Sequence, residues 1–202
     1  MFLGVGLGTL PAYAIGLLAY AASPRTTEVG HMPAQPVPNS HALHVGQLGI
    51  DCRFCHHAVE RAAHAALPDA QSCQICHQRV RSTSPKLEPL RRALATGQAL
   101  AWTRVNDLPD FVFFDHRAHV ARGVACVSCH GAVDRMEQTW QTEVLSMSFC
   151  LACHRRPEPA LRPLDRVTSP SYDAAADPVG IGRELRARYG IQPSTDCSAC
   201  HR

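Results

Sequence analysis

Residues 51–64 read DCRFCHHAVERAAH, with two cysteines two residues apart, then two adjacent histidines and a third histidine seven residues later. Two thiols at this spacing can bond covalently to the two vinyl groups of one porphyrin, and the imidazole that follows can bind its iron from one face. Cys52, Cys55 and His56 therefore suffice for one haem of the c type. The roles of His57 and His64 remain to be explained.

The same C-x-x-C-H pattern occurs five times and uses all ten cysteines of the 202-residue chain. The copies are CRFCH at 52–56, CQICH at 73–77, CVSCH at 126–130, CLACH at 150–154 and CSACH at 197–201. Zinc half-sites and redox dithiols also use C-x-x-C, but they do not need a histidine after every pair. We predict five covalently bound haem c groups, attached through Cys52, Cys55, Cys73, Cys76, Cys126, Cys129, Cys150, Cys153, Cys197 and Cys200.

Five haems restrict the fold class. Residues 29–202 would provide only about 35 residues per haem, too few for a separate core around each. We expect a mostly irregular multihaem cytochrome c fold, with a core dominated by haem and short α-helices that carry the motifs. The 15 prolines and 13 glycines favour such irregular connections. The formal charge is +3 without a basic run that would indicate nucleic acid, so basic side chains are expected to meet haem propionates.

Residues 2–22 contain no charged side chain and are long enough to span a bilayer, which predicts an N-terminal transmembrane helix. A cleaved signal peptide is the alternative, because AYA at 19–21 is an acceptable cleavage site. No Lys or Arg precedes the apolar run, and the run is longer than usual for a signal peptide, which favours the anchor. Covalent haem c is assembled outside the cytoplasmic membrane, so the rest of the chain should face the periplasm.

The haem-binding part contains an internal repeat. HALHVGQLGIDCRFCH at 41–56 and HRAHVARGVACVSCH at 116–130 both join H-x-x-H to a haem motif, and a further motif follows each. We divide the chain into a transmembrane anchor (1–28), an extended tether (29–40), a first dihaem half (41–85), a connection (86–110), a second dihaem half (111–160) and a C-terminal segment with the fifth haem (161–202). Within this chain, residues 87–97 predict a helix stopped by glycine, and 108–116 predict a buried extended segment.

Each haem iron needs a second axial ligand besides its motif histidine. The motif histidines are His56, His77, His130, His154 and His201. The candidates for the second position flank the motifs and are His41, His44, His57, His64, His116 and His119, while His31 is left unassigned. Met136 and Met147 are further candidates, because a thioether ligand would raise the potential of one haem. Met147 is preferred, and it would have to reach a neighbouring haem, with the fifth as one candidate.

The H-x-x-H pattern followed by C-x-x-C-H-H resembles the class III multihaem cytochromes of the c3 and c7 type. This resemblance implies that His41 pairs with His56, and that His57 serves the second motif, at Cys73, Cys76 and His77. It makes His64 a rival for that second iron or a ligand of the second half. The same resemblance gives His44, His116 and His119 to the third and fourth haems.

A longer resemblance covers residues 33–65, 84–138, 145–159 and 195–202, which are similar to the pentahaem cytochrome c subunit of alternative complex III, a bacterial quinol-oxidising membrane complex. Asn39 departs from the aromatic residue usual in that family. The resemblance implies an electron relay from integral-membrane quinol-oxidising subunits and an iron–sulfur subunit toward a monohaem cytochrome or another acceptor. The alternatives are a freestanding anchored multihaem quinol dehydrogenase that feeds a periplasmic reductase and, less favoured because no motif ends in lysine, a multihaem reductase enzyme.

Overall fold

Short helices separated by long irregular segments make up the chain in a computed structural model, which describes residues 2–21, 23–172 and 177–201. The α-helices are α1 (Phe2–Ala21), α2 (Pro24–Thr27), α3 (Cys52–Cys55), α4 (Ala70–His77), α5 (Glu88–Thr96), α6 (His116–Val120), α7 (Val127–His130), α8 (Met147–Arg155), α9 (Pro178–Arg188) and α10 (Cys197–Cys200). A π-helical turn covers Ala42–Gln47, and 3-10 turns cover Pro85–Leu87, Val133–Arg135, Glu158–Ala160 and Leu164–Arg166.

β-Structure in the described residues is restricted to two isolated antiparallel bridges, Val112 with His201 and Val124 with Leu161. This confirms the mostly irregular, short-helical fold predicted from the sequence. The first bridge fixes the fifth motif against the segment that precedes α6, and the second lies between the third motif and the C-terminal segment.

The N-terminal helix α1 corresponds to the predicted anchor, although residues 1 and 22 lie outside the described part of the chain. Among the residues that the structure describes, no helix is found that is both long and apolar enough to cross a bilayer. The transmembrane assignment of residues 1–28 stays a prediction.

Capping side chains start several of the helices that carry histidine or cysteine ligands. Asp51 accepts a hydrogen bond from the backbone of Arg53 at the start of α3, and Asp69 accepts one from Ser72 at the start of α4. Asp115 and Ser146 cap α6 and α8 in the same way. Because a cap satisfies an otherwise free N–H of the first turn, it fixes where a helix this short can begin. The helices of the first, second and fourth motifs therefore have fixed starts despite their small size.

The connection between the two halves contains the predicted helix. Helix α5 ends at Gly97, which adopts the left-handed conformation with φ +69°, so the predicted glycine stop is confirmed. The prediction of a buried segment at 108–116 is wrong for two of its aromatic side chains, since Phe111 and Phe113 are exposed by 62% and 52%. Phe114, by contrast, is half-buried and stacks on the ring of His119 at 4.4 Å.

The tether is held by the segment 138–143, which we call the strap. Gly30 donates a backbone hydrogen bond to the carbonyl of Gln141 at 2.8 Å, and Gln141 donates one to the carbonyl of His31 at 3.0 Å. The amide of Gln141, which is only 2% exposed, also donates to the Thr27 carbonyl at 3.4 Å. Gln138 donates from its side chain to the carbonyls of residues 32 and 33. The tether is thus extended but fastened to the haem-motif region.

Two small apolar clusters form the protein core of the described residues. The first joins Val37 of the tether to Ala70, Leu90 and Ala93, and the second contains Leu161, Leu185 and Ile191. Neither cluster is large enough to bury the five motifs, which agrees with a core that depends on bound groups.

Helix α9 packs tightly on the Glu158–Ala160 turn. A side chain at the buried Gly182 would overlap the backbone carbonyl of Glu158, so only glycine allows this approach. Arg186, one turn further along α9, donates to the Glu158 carboxylate at 2.6 Å. These contacts and the second cluster position the segment that leads to the fifth motif.

Candidate functional site

Seven histidine rings are held by a backbone carbonyl at Nδ1. The pairs are His44 with Ser40, His56 with Ala66, His77 with Val80, His116 with Ala63, His119 with Asp115, His154 with Ser194 and His201 with Phe111, at 2.5–3.2 Å. Because a carbonyl only accepts, Nδ1 must carry the proton in each ring. The lone pair of Nε2 then remains available for a metal, and this is the arrangement found around most metal-binding histidines.

Two further rings are held by side chains. Nδ1 of His41 lies 2.9 Å from the hydroxyl of Thr139, and Nδ1 of His130 lies 3.2 Å from the side-chain amide of Asn106. With the seven above, all five motif histidines and four of the six candidate second ligands have a fixed ring. Sequence reasoning missed Asn106 and Thr139, because neither has a motif neighbour and each meets its histidine only through the fold.

Three candidate second ligands each face a motif histidine. Ring centres are 6.1 Å apart for His44 and His77, 6.3 Å for His116 and His130, and 6.1 Å for His119 and His154. Two imidazole nitrogens bound at about 2 Å on opposite sides of one metal would put the ring centres roughly 6 Å apart. The three pairs therefore fit axial coordination of a haem iron without rearrangement. Burial, together with the neighbouring rings of His116, His56 and His41, lowers the pKa of His130 to about 4.

The internal repeat seen in the sequence is also a repeat of geometry. His44 and His119, the second histidines of the two H-x-x-H patterns, both donate to the carbonyl four residues earlier, at 2.8 Å. Each faces the second motif of its own half. In the second half the first histidine, His116, faces the first motif. In the first half burial lowers the pKa of the equivalent His41, and the rings of His56 and His44 lower it further.

The cysteines show that the first motif lies between the second and the third. The thiol of Cys126 lies close to that of Cys52 and raises its pKa. Burial raises the pKa of Cys55, and the nearby thiols of Cys52 and Cys76 raise it further. Likewise, burial and the neighbouring Cys55 raise the pKa of Cys73. The first motif therefore contacts both the second motif and, across the two halves, the third.

The remaining motifs continue the row. Burial raises the pKa of Cys129 to about 11, with further contributions from Cys153 and Cys150 of the fourth motif. Burial also raises the pKa of Cys150, and Cys200 of the fifth motif adds to this effect. The spatial order of the motifs is thus second, first, third, fourth, fifth. Adjacent motifs approach through their cysteines.

The structure does not give every predicted ligand such a position. Within the described residues, the rings of His31, His57 and His64 make no hydrogen bond and are exposed. His44 faces His77, the position that the resemblance to class III cytochromes had given to His57. His57 instead lies near Asp69, whose pKa its charge helps to lower after the hydrogen bonds from Ser72.

The fifth motif has a different environment. Nδ1 of His201 donates to the Phe111 carbonyl, and the two rings lie 5.8 Å apart. Met147 begins α8 three residues before Cys150, so both lie on the side of the helix that approaches the fifth motif. Met147 is 68% exposed and its sulfur can reach a group outside the polypeptide. Met136 is only 6% exposed, so its sulfur is covered by protein.

The comparisons with known proteins agree with this geometry. Residues 112–202 match the family described as cytochrome c7 and related cytochrome c. The multihaem cytochrome c subunit of a menaquinone reductase from Nitratidesulfovibrio vulgaris is 34% identical over 102 residues, which are 50% of this chain and 48% of that protein. The chain thus spans about half the length of that relative. The matched segment, residues 112–202, contains three of the five motifs and the second H-x-x-H pattern, His116 to His119.

Proposed function

We propose that this multihaem c-type cytochrome carries five haem c groups and is the electron-transfer subunit of a membrane quinol-oxidising complex of the alternative complex III type. Bound haem supplies reversible one-electron chemistry at iron. The three histidine pairs with ring centres 6.1–6.3 Å apart carry the proposal, because paired axial imidazoles leave no open position for a substrate. A chain that closes its irons in this way is suited to electron transfer.

We assign four ligand pairs, three from the site geometry and His41 with His56 from the resemblance to class III cytochromes. They are His41 with His56, His44 with His77, His116 with His130, and His119 with His154. His57 and His64 are not needed as ligands under this assignment. The fifth iron is assigned to His201 and Met147, because Met147 is exposed and lies three residues before Cys150, which is near Cys200 of the fifth motif, whereas Met136 is buried.

The methionine assignment predicts a spectroscopic difference between two variants. The ferric protein should show a near-infrared charge-transfer band from methionine–iron coordination. Met147→Leu should abolish this band and lower the potential of that haem, since it removes the weaker donor that favours ferrous iron. Met136→Leu is the matched control and should keep the band. A wild-type spectrum with only bis-histidine signals would contradict the assignment.

The place of the subunit follows from the chemistry of its cofactor and from its resemblance to the complex. We place residues 29–202 on the periplasmic side, where haem c is attached, and residues 1–28 in the cytoplasmic membrane. The partners would be integral-membrane quinol-oxidising subunits, an iron–sulfur subunit and a monohaem cytochrome. The row of motifs supports a relay, since its ends, at the second and fifth motifs, are separated by three others.

A second candidate function is electron transfer toward quinone. The relative that matches half of this chain is a subunit of a menaquinone reductase, and this favours the opposite direction of electron flow within a similar membrane assembly. A freestanding quinol dehydrogenase that feeds a periplasmic reductase is a third, simpler arrangement.

The test is purification of the native assembly through a tag on this chain. We expect five covalent haems per chain, all low-spin, together with several integral-membrane partners, and haem reduction on addition of a short-chain menaquinol. An intact mass that includes residues 2–22 would support the anchor. Oxidation of the pre-reduced haems by menaquinone, without reduction by menaquinol, would support the reductase direction. A stoichiometric high-spin haem that binds cyanide or nitrite would refute the relay.

A further inference from the structure

The residue that holds His130 is unlike the carbonyl groups that hold most of the other rings. The amide nitrogen of Asn106 is placed 3.2 Å from Nδ1 of His130, while its Oδ1 is buried and makes no hydrogen bond. A half-turn about the last side-chain bond interchanges the oxygen and nitrogen of an amide with almost no change of shape. The chemistry of the site must therefore decide the orientation.

The ligand role of His130 selects one orientation. A histidine that binds iron through Nε2 keeps its proton on Nδ1 and needs an acceptor there. The amide nitrogen cannot accept, so Oδ1 must face the ring. The same rotation gives Oδ1 a donor and places the amide NH2 in the buried position that Oδ1 occupied. The proton on Nδ1 of His130 therefore decides the arrangement.

We propose that Asn106 is a positioning residue that sets the reduction potential of the third haem, by accepting the Nδ1–H of His130 through its Oδ1. This inference rests on the proposed ligation by His130. An acceptor at Nδ1 makes the ring a stronger donor, which favours ferric iron and lowers the potential. Because the acceptor is a side chain, its strength can change by one substitution, as a backbone carbonyl cannot.

The position of the third motif makes this control useful. It lies at the centre of the row, between the first and the fourth motifs. Its haem is one through which electrons would pass in either direction, so Asn106 acts on the middle of the relay. Asn106 lies in the connection between the two halves, at residues 86–110. Under this proposal the connection does more than link the two halves, because it supplies a residue that contacts His130.

The third haem can be distinguished by its ligand planes. The rings of His116 and His130 are parallel to within 4°, whereas those of His44 and His77 are inclined at 65°. Parallel imidazole planes give a well-resolved rhombic electron paramagnetic resonance signal in ferric haem, and strongly inclined planes give a highly anisotropic signal at larger g. Among the three pairs with measured ring planes, at 65°, 4° and 43°, the parallel pair is His116–His130, so its haem is expected to give a rhombic bis-histidine signal.

The experiment is a redox titration of the full chain, followed by that rhombic signal, in two variants. Asn106→Asp supplies a stronger acceptor in almost the same volume and should shift the midpoint potential of the rhombic haem downward. Asn106→Leu removes the acceptor and should shift the midpoint upward. Gln98→Glu, which adds the same charge as Asn106→Asp at an exposed site after α5, is the control and should leave the midpoint in place.

The outcomes separate this inference from the proposed function. A rhombic signal with the same midpoint in wild type, Asn106→Asp and Asn106→Leu would overturn the role of Asn106 while leaving the relay standing. Absence of any rhombic bis-histidine signal in the wild type would overturn the ligation by His130 and this inference with it. If Asn106→Leu loses haem, the near-isosteric Asn106→Asp still decides the question.

Discussion

Replacing His44 by alanine should convert one haem of the protein to a high-spin form, whereas the same replacement of His57 should leave every haem low-spin. His44 faces His77 with 6.1 Å between ring centres, and its Nδ1 is fixed by the Ser40 carbonyl. Its loss would open one side of the second iron completely. The ring of His57 is exposed and, among the described residues, has no hydrogen bond to orient it. Carbon monoxide should accordingly bind to one ferrous haem per chain in His44→Ala alone.

This pair of variants is a matched test, because both remove one imidazole from the first half of the chain. Optical and paramagnetic resonance spectra of the ferric proteins would measure the high-spin fraction, and haem content would verify that assembly is intact. A high-spin haem in His57→Ala with none in His44→Ala would reverse the assignment. The internal repeat extends the expectation to His119→Ala, which should affect the fourth haem, because His119 faces His154 in the same way.

Substituting Gly182 by alanine should destabilise the C-terminal segment strongly, although alanine is normally the better helix former by about 1 kcal/mol. The added methyl group would overlap the backbone carbonyl of Glu158, which cannot rotate away as a side chain could. Overpacking of this kind costs about 1–3 kcal/mol, and the fixed backbone places this case near the upper end. Helix α9 would shift and loosen both the Arg186–Glu158 ion pair and the cluster around Leu185.

Gly180→Ala in the same helix is the control for that prediction. A methyl group there would meet only the carboxylate of Asp177, a side chain that can move, at the expense of the cap on α9. Urea denaturation followed by circular dichroism should show a clearly lower midpoint for Gly182→Ala than for Gly180→Ala. Limited proteolysis should then cleave first between residues 161 and 196. Equal midpoints for the two variants would show that α9 does not depend on this close contact.

The features that the sequence could predict are those written in short, repeated patterns. Five copies of one motif indicate the cofactor and the short helices, and the two H-x-x-H patterns indicate an internal repeat. The repeat reappears as matched geometry at His44 and His119, because the same local turn brings each ring to the carbonyl four residues earlier. Local patterns are reliable here because the capped turns that carry the rings are themselves local.

The features that the sequence could not predict depend on contacts between distant segments. The contact of Cys52 with Cys126 joins the two halves and makes the spatial order differ from the order along the chain. Asn106 reaches His130 across 24 residues, and Thr139 reaches His41 across 98. Polar residues in irregular segments show no periodicity that would mark them. Whether the aromatic residues around Phe111 are buried also depends on contacts with distant segments. Their apolar character alone therefore predicted a buried segment.

The hydrogen bonds between the tether and the strap decide how the protein can meet its partners. A cytochrome on a flexible tether can move between an electron donor and an electron acceptor, and its turnover then depends on the length of the tether. Here two backbone hydrogen bonds fix the N-terminal end of the tether, since Gln141 of the strap is bonded to Gly30 and His31. The haem-binding part of the chain is therefore held in a fixed position relative to the tether. In the proposed relay, its redox partners must come to it. In the proposed relay, any mobile electron carrier is therefore a different molecule. Lengthening residues 32–40 would not increase the distance over which the haem-binding part can move.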